Sequence, residues 1–336
     1  ARLTADGRET TAVPGSMSGA LSAPQRNTRA QRWVAFAYSG ARRLSSGRLR
    51  ELKELDVDPL EDCLSFHQTA NTQHLALWLA GQDYKRLKAK EAGEHAEAER
   101  LQRPIRDIEM AVGEIIQDAS FTFASRTSSL DVLVKRQNAT VDLDLLPDGV
   151  KSIVSWVADL IMRMDRIAWV DNTPIRERPF LLLLDEIDIH LHPAWQRRIL
   201  PMVARLFPKA QIIASTHSPF VVGSAGQDAR IIRFNVKDGR STLDPTPRGA
   251  QVGTSVSVVL ADVFGVKSEF DIHTEALLDR FREARHALLT GTSQDRAAVD
   301  ALAREIAALG EELNAIMGLE MRQLDRLLTN RAQAAS

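Results

Sequence analysis

Hydrophobic positions along this chain change period several times, and each change marks an element. Between residues 179 and 224, a short continuous apolar run (180–184) and a second apolar run (210–215) flank a stretch whose inward apolar positions are Trp195, Ile199, Met202, Val203 and Leu206. Two runs too short for helices, joined by a 3.6-residue period, predict a buried parallel β-α-β unit. Residues 33–38 (WVAFAY) and 231–236 are further strand candidates, the latter turning at Asp238-Gly239. From about 60 to 117 the pattern is helical, with Leu75, Trp78 and Leu79 on one face and Ile105, Ile108, Val112, Ile115 and Ile116 on another. A charged segment, 85–103, lies between them, and Pro104 is expected to break or start a helix there. Short strands are predicted over 121–124, 130–135 and 139–143, with Gln137-Asn138 as a turn. Ile153, Val154, Val157, Leu160, Ile161 and Met164 then form an amphipathic helix. The tail, 255–336, reads as helical. Val299, Leu302, Ile306, Leu309, Leu313 and Ile316 alternate by three and four as a heptad seam, weakened by Gly310 and Gly318. A two- or three-helix appendage, packed on itself or on a partner, follows.

Composition narrows the class. At 336 residues the chain can bury a large core plus an appendage. Charged residues are 26% of it, yet the net charge is −1, so no global charge argument for nucleic acid or membrane arises. The mixed signs of 85–103 suit a solvated helix face better than a nucleic-acid surface. The single cysteine, Cys63, excludes a disulfide framework and suits a reducing cytoplasm. Following Glu61 and Asp62, it is expected to be an inert thiol. No run approaches the eighteen or so apolar residues that span a bilayer. Residues 1–32 read as loop, with a hairpin remnant turning at Asp6-Gly7, and the start at Ala1 rather than Met suggests a piece of a longer protein.

In open parallel sheets ligands sit at the carboxyl ends of the strands. Here the first run ends in Asp185 and Glu186, the second in Ser215, Thr216 and His217. Adjacent carboxylates at a strand end suit Mg²⁺ and the activation of water. The competing reading, that they cap the next helix, accounts for neither His217 nor the second strand. Residues 146–152, LPDGVKS, open a helix with Asp148 and Gly149, which aims free N–H groups and a positive dipole end outward. An ordinary helix start at Asp148 is the alternative. His190 and His192 alternate at i,i+2, but no nearby Cys or second His pair completes a zinc set, so they are read as interface or supporting residues. Gly40 beside Arg42 and Arg43 could grip a phosphate, though a turn with a solvated basic edge is the favoured reading. GxxxxGK followed by Ser or Thr, the P-loop, does not occur.

LLLLDEIDIHLHP (181–193) closely resembles the Walker B and D-loop region of ABC-type ATPases, in the branch of RecF, SMC proteins, OLD nucleases and Septu-like phage-defence ATPases. IIASTHSP (212–219) resembles the switch-histidine strand of that family, and LPDGVKS its signature loop, with Pro147 where a serine is usual. The resemblance implies an α/β fold: the C-terminal lobe of a parallel-sheet P-loop NTPase, with a helical insertion and a helical tail. It implies three regions: a remnant of an N-terminal lobe (1–32), the ATPase lobe (33–250) and a helical appendage (251–336). Asp185 would hold Mg²⁺, Glu186 would be the general base, and His217 would sense the γ-phosphate of ATP. Asp148 and Gly149, helped by Lys151 and Ser152, would contact ATP on a second subunit, and Asp188, His190 and His192 would line that homodimer seam. The Walker A cradle is expected upstream of Ala1, making the longer protein an ATPase and this piece alone inactive. A separately encoded nuclease gated in phage defence, or a role in DNA repair, follows from the same resemblance, with DNA binding unsupported by net charge. The alternative is a non-catalytic interaction module with a degenerate site, of which Pro147 would be the first sign. A Toprim nuclease would need an acidic strand-end set that the sequence does not offer.

Overall fold

The chain opens with an antiparallel pair, β1 (Arg2–Ala5) and β2 (Arg8–Thr11), in which Ala5 faces Arg8. The computed structural model describes residues 2–5, 8–11, 30–40, 55–66, 71–126, 129–136, 139–237, 239–244, 248–249, 253–266 and 270–335. Asp6-Gly7, Arg42-Arg43, Gln137-Asn138 and Asp238, each assigned above to a turn or a basic edge, lie outside the described residues. By packing, the chain divides into two units, Ala1–Val256 and Ser257–Ser336.

The first unit is built on a parallel sheet. Its first strand is β3 (Ala35–Tyr38), buried along its whole length. Ala37 N–H donates to the Cys63 carbonyl at 2.7 Å, so residues 60–63 run beside β3 as a loop rather than as the expected helix. Arg163 and Arg166 hold that loop, donating to the carbonyls of Pro59 and Glu61 and of Leu55 and Val57. Helix α1 (Thr72–Glu91) therefore starts only at its Asn71 cap, whose side chain accepts from Gln73 N–H. Gly93, at a φ of 75°, turns the chain into α2 (His95–Ile116). Pro104 neither breaks nor starts α2. It is buried on the inner side of the helix, and burial of its ring sets apolar area against the one hydrogen bond a proline removes. On the solvated face the opposite charges pair at i,i+3, as in Arg86 with Asp83 and Arg100 with Glu97.

An antiparallel meander follows, β4 (Thr122–Arg126), β5 (Ser129–Arg136) and β6 (Ala139–Asp142). Helix α3 (Asp148–Arg166) then runs through the core, with Val150, Ile153, Val154, Val157 and Leu160 all at 0% exposure. The chain returns to the sheet as β7 (Leu181–Leu184), leaves as α4 (Pro193–Leu206) and comes back as β8 (Gln211–Ala214). The order is β3-β7-β8, all parallel, with Tyr38, Leu184 and Ala214 in register at the carboxyl end. This is the α/β arrangement expected from the two short runs. Phe180 lies edge-on to both Phe36 and Phe207, at 6.3 and 5.2 Å between ring centres, and locks the other end of the sheet. Beyond β8 come a short helix, α5 (Pro219–Gly223), and a hairpin of β9 (Phe234–Lys237) and β10 (Arg240–Leu243).

The second unit carries α6 (Ile272–Thr290), α7 (Arg296–Ala307) and α8 (Glu311–Ala335) around a core of its own: Leu277, Phe281, Val299, Ile306, Met317 and Leu324. The seam read from Val299 to Ile316 is not one helix. It breaks at 308–310, which leaves Leu309 49% exposed and Leu302 and Ile316 only partly buried. Among the described residues no helix is long and apolar enough to cross a membrane.

Candidate functional site

The parallel ladder runs one step past the strands. Asp185 N–H donates to the Tyr38 carbonyl at 2.8 Å, and Ser215 N–H donates to the Leu184 carbonyl at 2.9 Å. Residues 39–40, 185–188 and 215–218 are thereby brought to one edge of the sheet, with Asp185 and His217 exposed and Glu186 half-buried.

Ser215 is the junction of this edge. Its hydroxyl donates to Asp185 Oδ1 at 2.5 Å and accepts Glu186 N–H at 2.8 Å, while its carbonyl accepts Ile187 N–H at 3.1 Å. Glu186 itself adopts a φ of 45°, in the left-handed region that a residue with a side chain seldom enters. Its side chain lies over Gly40, where an added Cβ would stand 2.5 Å from Glu186 Oε2 and 2.8 Å from Glu186 Cβ. A side chain at 40 and the observed Glu186 are mutually exclusive.

Asp188 turns inward. Its carboxylate accepts from the Thr216 hydroxyl and, at 3.3 Å, from His217 N–H, tying the loop after β7 to the backbone that presents His217. Gln196 on α4 completes the tie, donating to the Leu191 carbonyl at 2.9 Å and accepting the Ser218 hydroxyl at 2.6 Å. Of the residues expected to line a seam, Asp188 is therefore drawn into the molecule, while His190 and His192 face solvent. His192 caps α4, its Nδ1 accepting Ala194 N–H at 3.2 Å, and His190 holds a left-handed φ of 60°. Among the described residues no cluster of three His, Cys, Asp or Glu could hold a metal ion.

The start of α3 packs against this loop. A Cβ on Gly149 would meet the His190 carbonyl at 2.5 Å and the Trp195 ring at 3.1 Å, so Gly149 serves the close approach of two segments of one chain. Asp148 is exposed, with Lys151 Nζ 3.7 Å from its carboxylate. Ser152 faces the core at 1% exposure, so it is not available to a second molecule. That placement corrects the expected helper role of Ser152: it falls on the inner side of the first turn of α3.

Beneath the edge, Tyr38 donates its hydroxyl to Asp159 at 2.9 Å, and Arg163 Nε donates to the same oxygen at 2.7 Å. Burial, and then the Asp159 charge, push the Tyr38 hydroxyl well above its ordinary pKa. Burial likewise pushes the Cys63 thiol up to about 11, with Asp58 and Asp62 adding to it against Arg163. Burial, more than the acids that precede it in sequence, is thus what raises the Cys63 thiol.

Sequence reasoning placed Asp185, Glu186 and His217 on this edge but assigned no role to Ser215, Thr216 or Gln196, and read Gly40 as a turn or phosphate-gripping glycine rather than as the seat of Glu186. The run STHS at the end of β8 carried the only signal for the first two. A model of the AAA domain family described as "putative AbiEii toxin, Type IV TA system" matches residues 32–223. The Septu protein PtuA of Bacillus thuringiensis is 30% identical over 170 residues, covering 49% of this chain and 43% of that protein. The Retron Vc95 probable ATPase of Vibrio cholerae serotype O1 biovar El Tor is 31% identical over 175 residues, covering 51% of this chain and 32% of that protein. The chain thus spans less than half the length of these curated relatives. A solved structure from work on ATP-driven dimerization of SMC ATPases overlaps 50% of this chain and 93% of its own, at 14% identity and a TM-score of 0.36.

Proposed function

Because the chain belongs to the AAA domain family whose model its residues 32–223 match, we propose that the edge formed by Asp185, Glu186 and His217 is the hydrolytic half of an ATPase centre of the ABC/SMC type. The observation that carries this reading is that one hydroxyl, just past the neighbouring strand, binds the Asp185 carboxylate and the backbone N–H of Glu186, the adjacent acidic residue in a left-handed backbone. Strain of this kind, held by specific bonds, is concentrated at working sites.

The donor set fits Mg²⁺, which takes one or two carboxylates and completes its shell with water and phosphate oxygens rather than a protein cage. Asp185 would hold the ion, which supplies neutralisation of charge on the phosphate oxygens of bound ATP. Glu186 takes the proton of the attacking water on its carboxylate, held for that purpose over Gly40. His217, exposed and with its backbone fixed by Asp188, offers its imidazole to the γ-phosphate. No residue of this sequence is assigned to the cradle of the other phosphates. Asp148 and Lys151, with His190 and His192, form the face that meets a second subunit across the nucleotide, and Gly149 lets the start of α3 pack close enough to the His190 loop to build it. The names of the Septu and retron relatives support a role in phage defence, in which the nucleotide state gates a separately encoded nuclease.

The test is Glu186→Gln in the intact protein. Gln keeps the size of Glu and cannot accept the proton, so steady-state phosphate release falls by about 10²–10⁴-fold while ATP binding is kept. Hydrolysis at the wild-type rate would remove Glu186 from the base role and with it the reading of the site.

A further inference from the structure

We propose that Ser215 is a positioning residue of this centre, setting both carboxylates through one hydroxyl; the proposal rests on the ATPase reading of Asp185 and Glu186. Ser215 follows β8, and every polar group it carries is engaged with residues 184–187. Its N–H goes to the Leu184 carbonyl and its carbonyl receives Ile187 N–H. Its Oγ donates to Asp185 Oδ1 at 2.5 Å and receives Glu186 N–H at 2.8 Å.

The hydroxyl chemistry matters here. One O–H donor and two acceptor lone pairs let a single atom orient a carboxylate and hold a peptide N–H at once. Alanine does neither. The bond to Asp185 leaves that carboxylate oriented by a neighbour rather than free to rotate, the usual way an outer partner tunes a metal ligand. The bond to Glu186 N–H acts on the residue whose φ of 45° most needs holding, and so places the Glu186 side chain over Gly40. A small β-branched hydroxyl residue can do the same, because a strand end accommodates threonine. Ser215 is exposed, so its hydroxyl contributes little to global stability, and its removal is read at the site.

The experiment compares Ser215→Ala and Ser215→Thr with Glu186→Gln in the intact protein, by three readouts. Amide hydrogen exchange over residues 181–190 tests the brace itself, Mn²⁺ affinity by electron paramagnetic resonance in the presence of ATP tests Asp185, and phosphate release tests turnover. Ser215→Ala is expected to speed exchange over 181–190 but not over α3. It is also expected to weaken Mn²⁺ binding and turnover by about 10–100-fold each, at an unchanged Tm. Ser215→Thr restores all three. Unchanged exchange and Mn²⁺ affinity in Ser215→Ala overturn the proposal. So does a Thr variant as defective as Ala with a lowered Tm, which would make the residue a structural strand end only. If Glu186→Gln hydrolyses ATP normally, the ATPase reading has failed, and Ser215 is then judged on exchange and Mn²⁺ affinity alone.

Discussion

Glu186 holds its left-handed backbone with its side chain in the space a Cβ on residue 40 would take. A non-glycine residue there costs about 1–3 kcal/mol, which the surrounding bonds must over-determine. Gly40→Ala is therefore predicted to act on Glu186 and on little else. The new methyl, 2.8 Å from Glu186 Cβ, forces the carboxylate to a different position. A displacement near 1 Å at a reacting group costs roughly 10²-fold in rate. Phosphate release should fall by that order while ATP affinity is retained, and wild-type turnover would show that the working position of Glu186 is not over Gly40. The placement of Asp185, Glu186 and His217 at one sheet edge was legible in the sequence because each follows a short apolar run, and in parallel sheets strand ends are where ligands sit. Their supports were not. Ser215 and Asp185 are thirty positions apart and meet only through the β7-β8 register, and nothing local distinguishes Gly40 from a turn glycine.

Elements were legible where period and length agreed, as in the β7-α4-β8 unit, and misplaced where tertiary contacts overrode the local pattern. Residues 60–63 pair with β3 because Arg163 and Arg166 hold their loop from α3, a long-range effect that no window of sequence contains. The heptad seam shows the complementary failure. The three-four alternation continues unbroken from Ile306 through Leu309 to Leu313, although the chain turns between α7 and α8. Periodicity counts spacing and cannot register that Leu309-Gly310 leaves the helix. The acidic pair Glu311-Glu312 was the available sign of a new helix start. The structure separates two substitutions that the seam treats alike. Ile306 is at 0% exposure in the core of the second unit, so Ile306→Asp buries a charge without a partner and should cost about 3 kcal/mol or more. Leu309 is 49% exposed, and Leu309→Asp should fall within about 0.5 kcal/mol of wild type. Urea unfolding of the whole chain followed by circular dichroism separates them; equal losses would restore the continuous seam.

At the scale of the molecule, the exposed start of α3 is the feature that a single chain leaves without a purpose. Asp148 is 82% exposed and the Lys151 ammonium, 3.7 Å from it, forms a surface pair that contributes at most about 1 kcal/mol. Gly149 and Ser152, by contrast, are turned inward and serve the packing of this chain. The residues offered outward are thus Asp148 and, across the Gly149 contact, His190 and His192, with the half-buried Lys151 beside Asp148, a face with the positive end of α3 behind it. If two subunits close on ATP, Lys151 is the charge suited to meet phosphate, and reversing it brings like charges together at a closing interface. The prediction is made in a Glu186→Gln background, where bound ATP persists. With ATP and Mg²⁺, that variant should run as a dimer by light scattering, and adding Lys151→Glu should weaken the dimer at least about tenfold. Loss of the surface pair alone should leave the Tm unchanged, which separates an effect on association from one on folding. Equal dimerisation of the two proteins would move the seam away from α3. A Glu186→Gln protein that binds ATP and stays monomeric would instead mean that the left-handed carboxylate turn works within one subunit, and that Pro147, where related loops carry a serine, marks a face no longer used for closing.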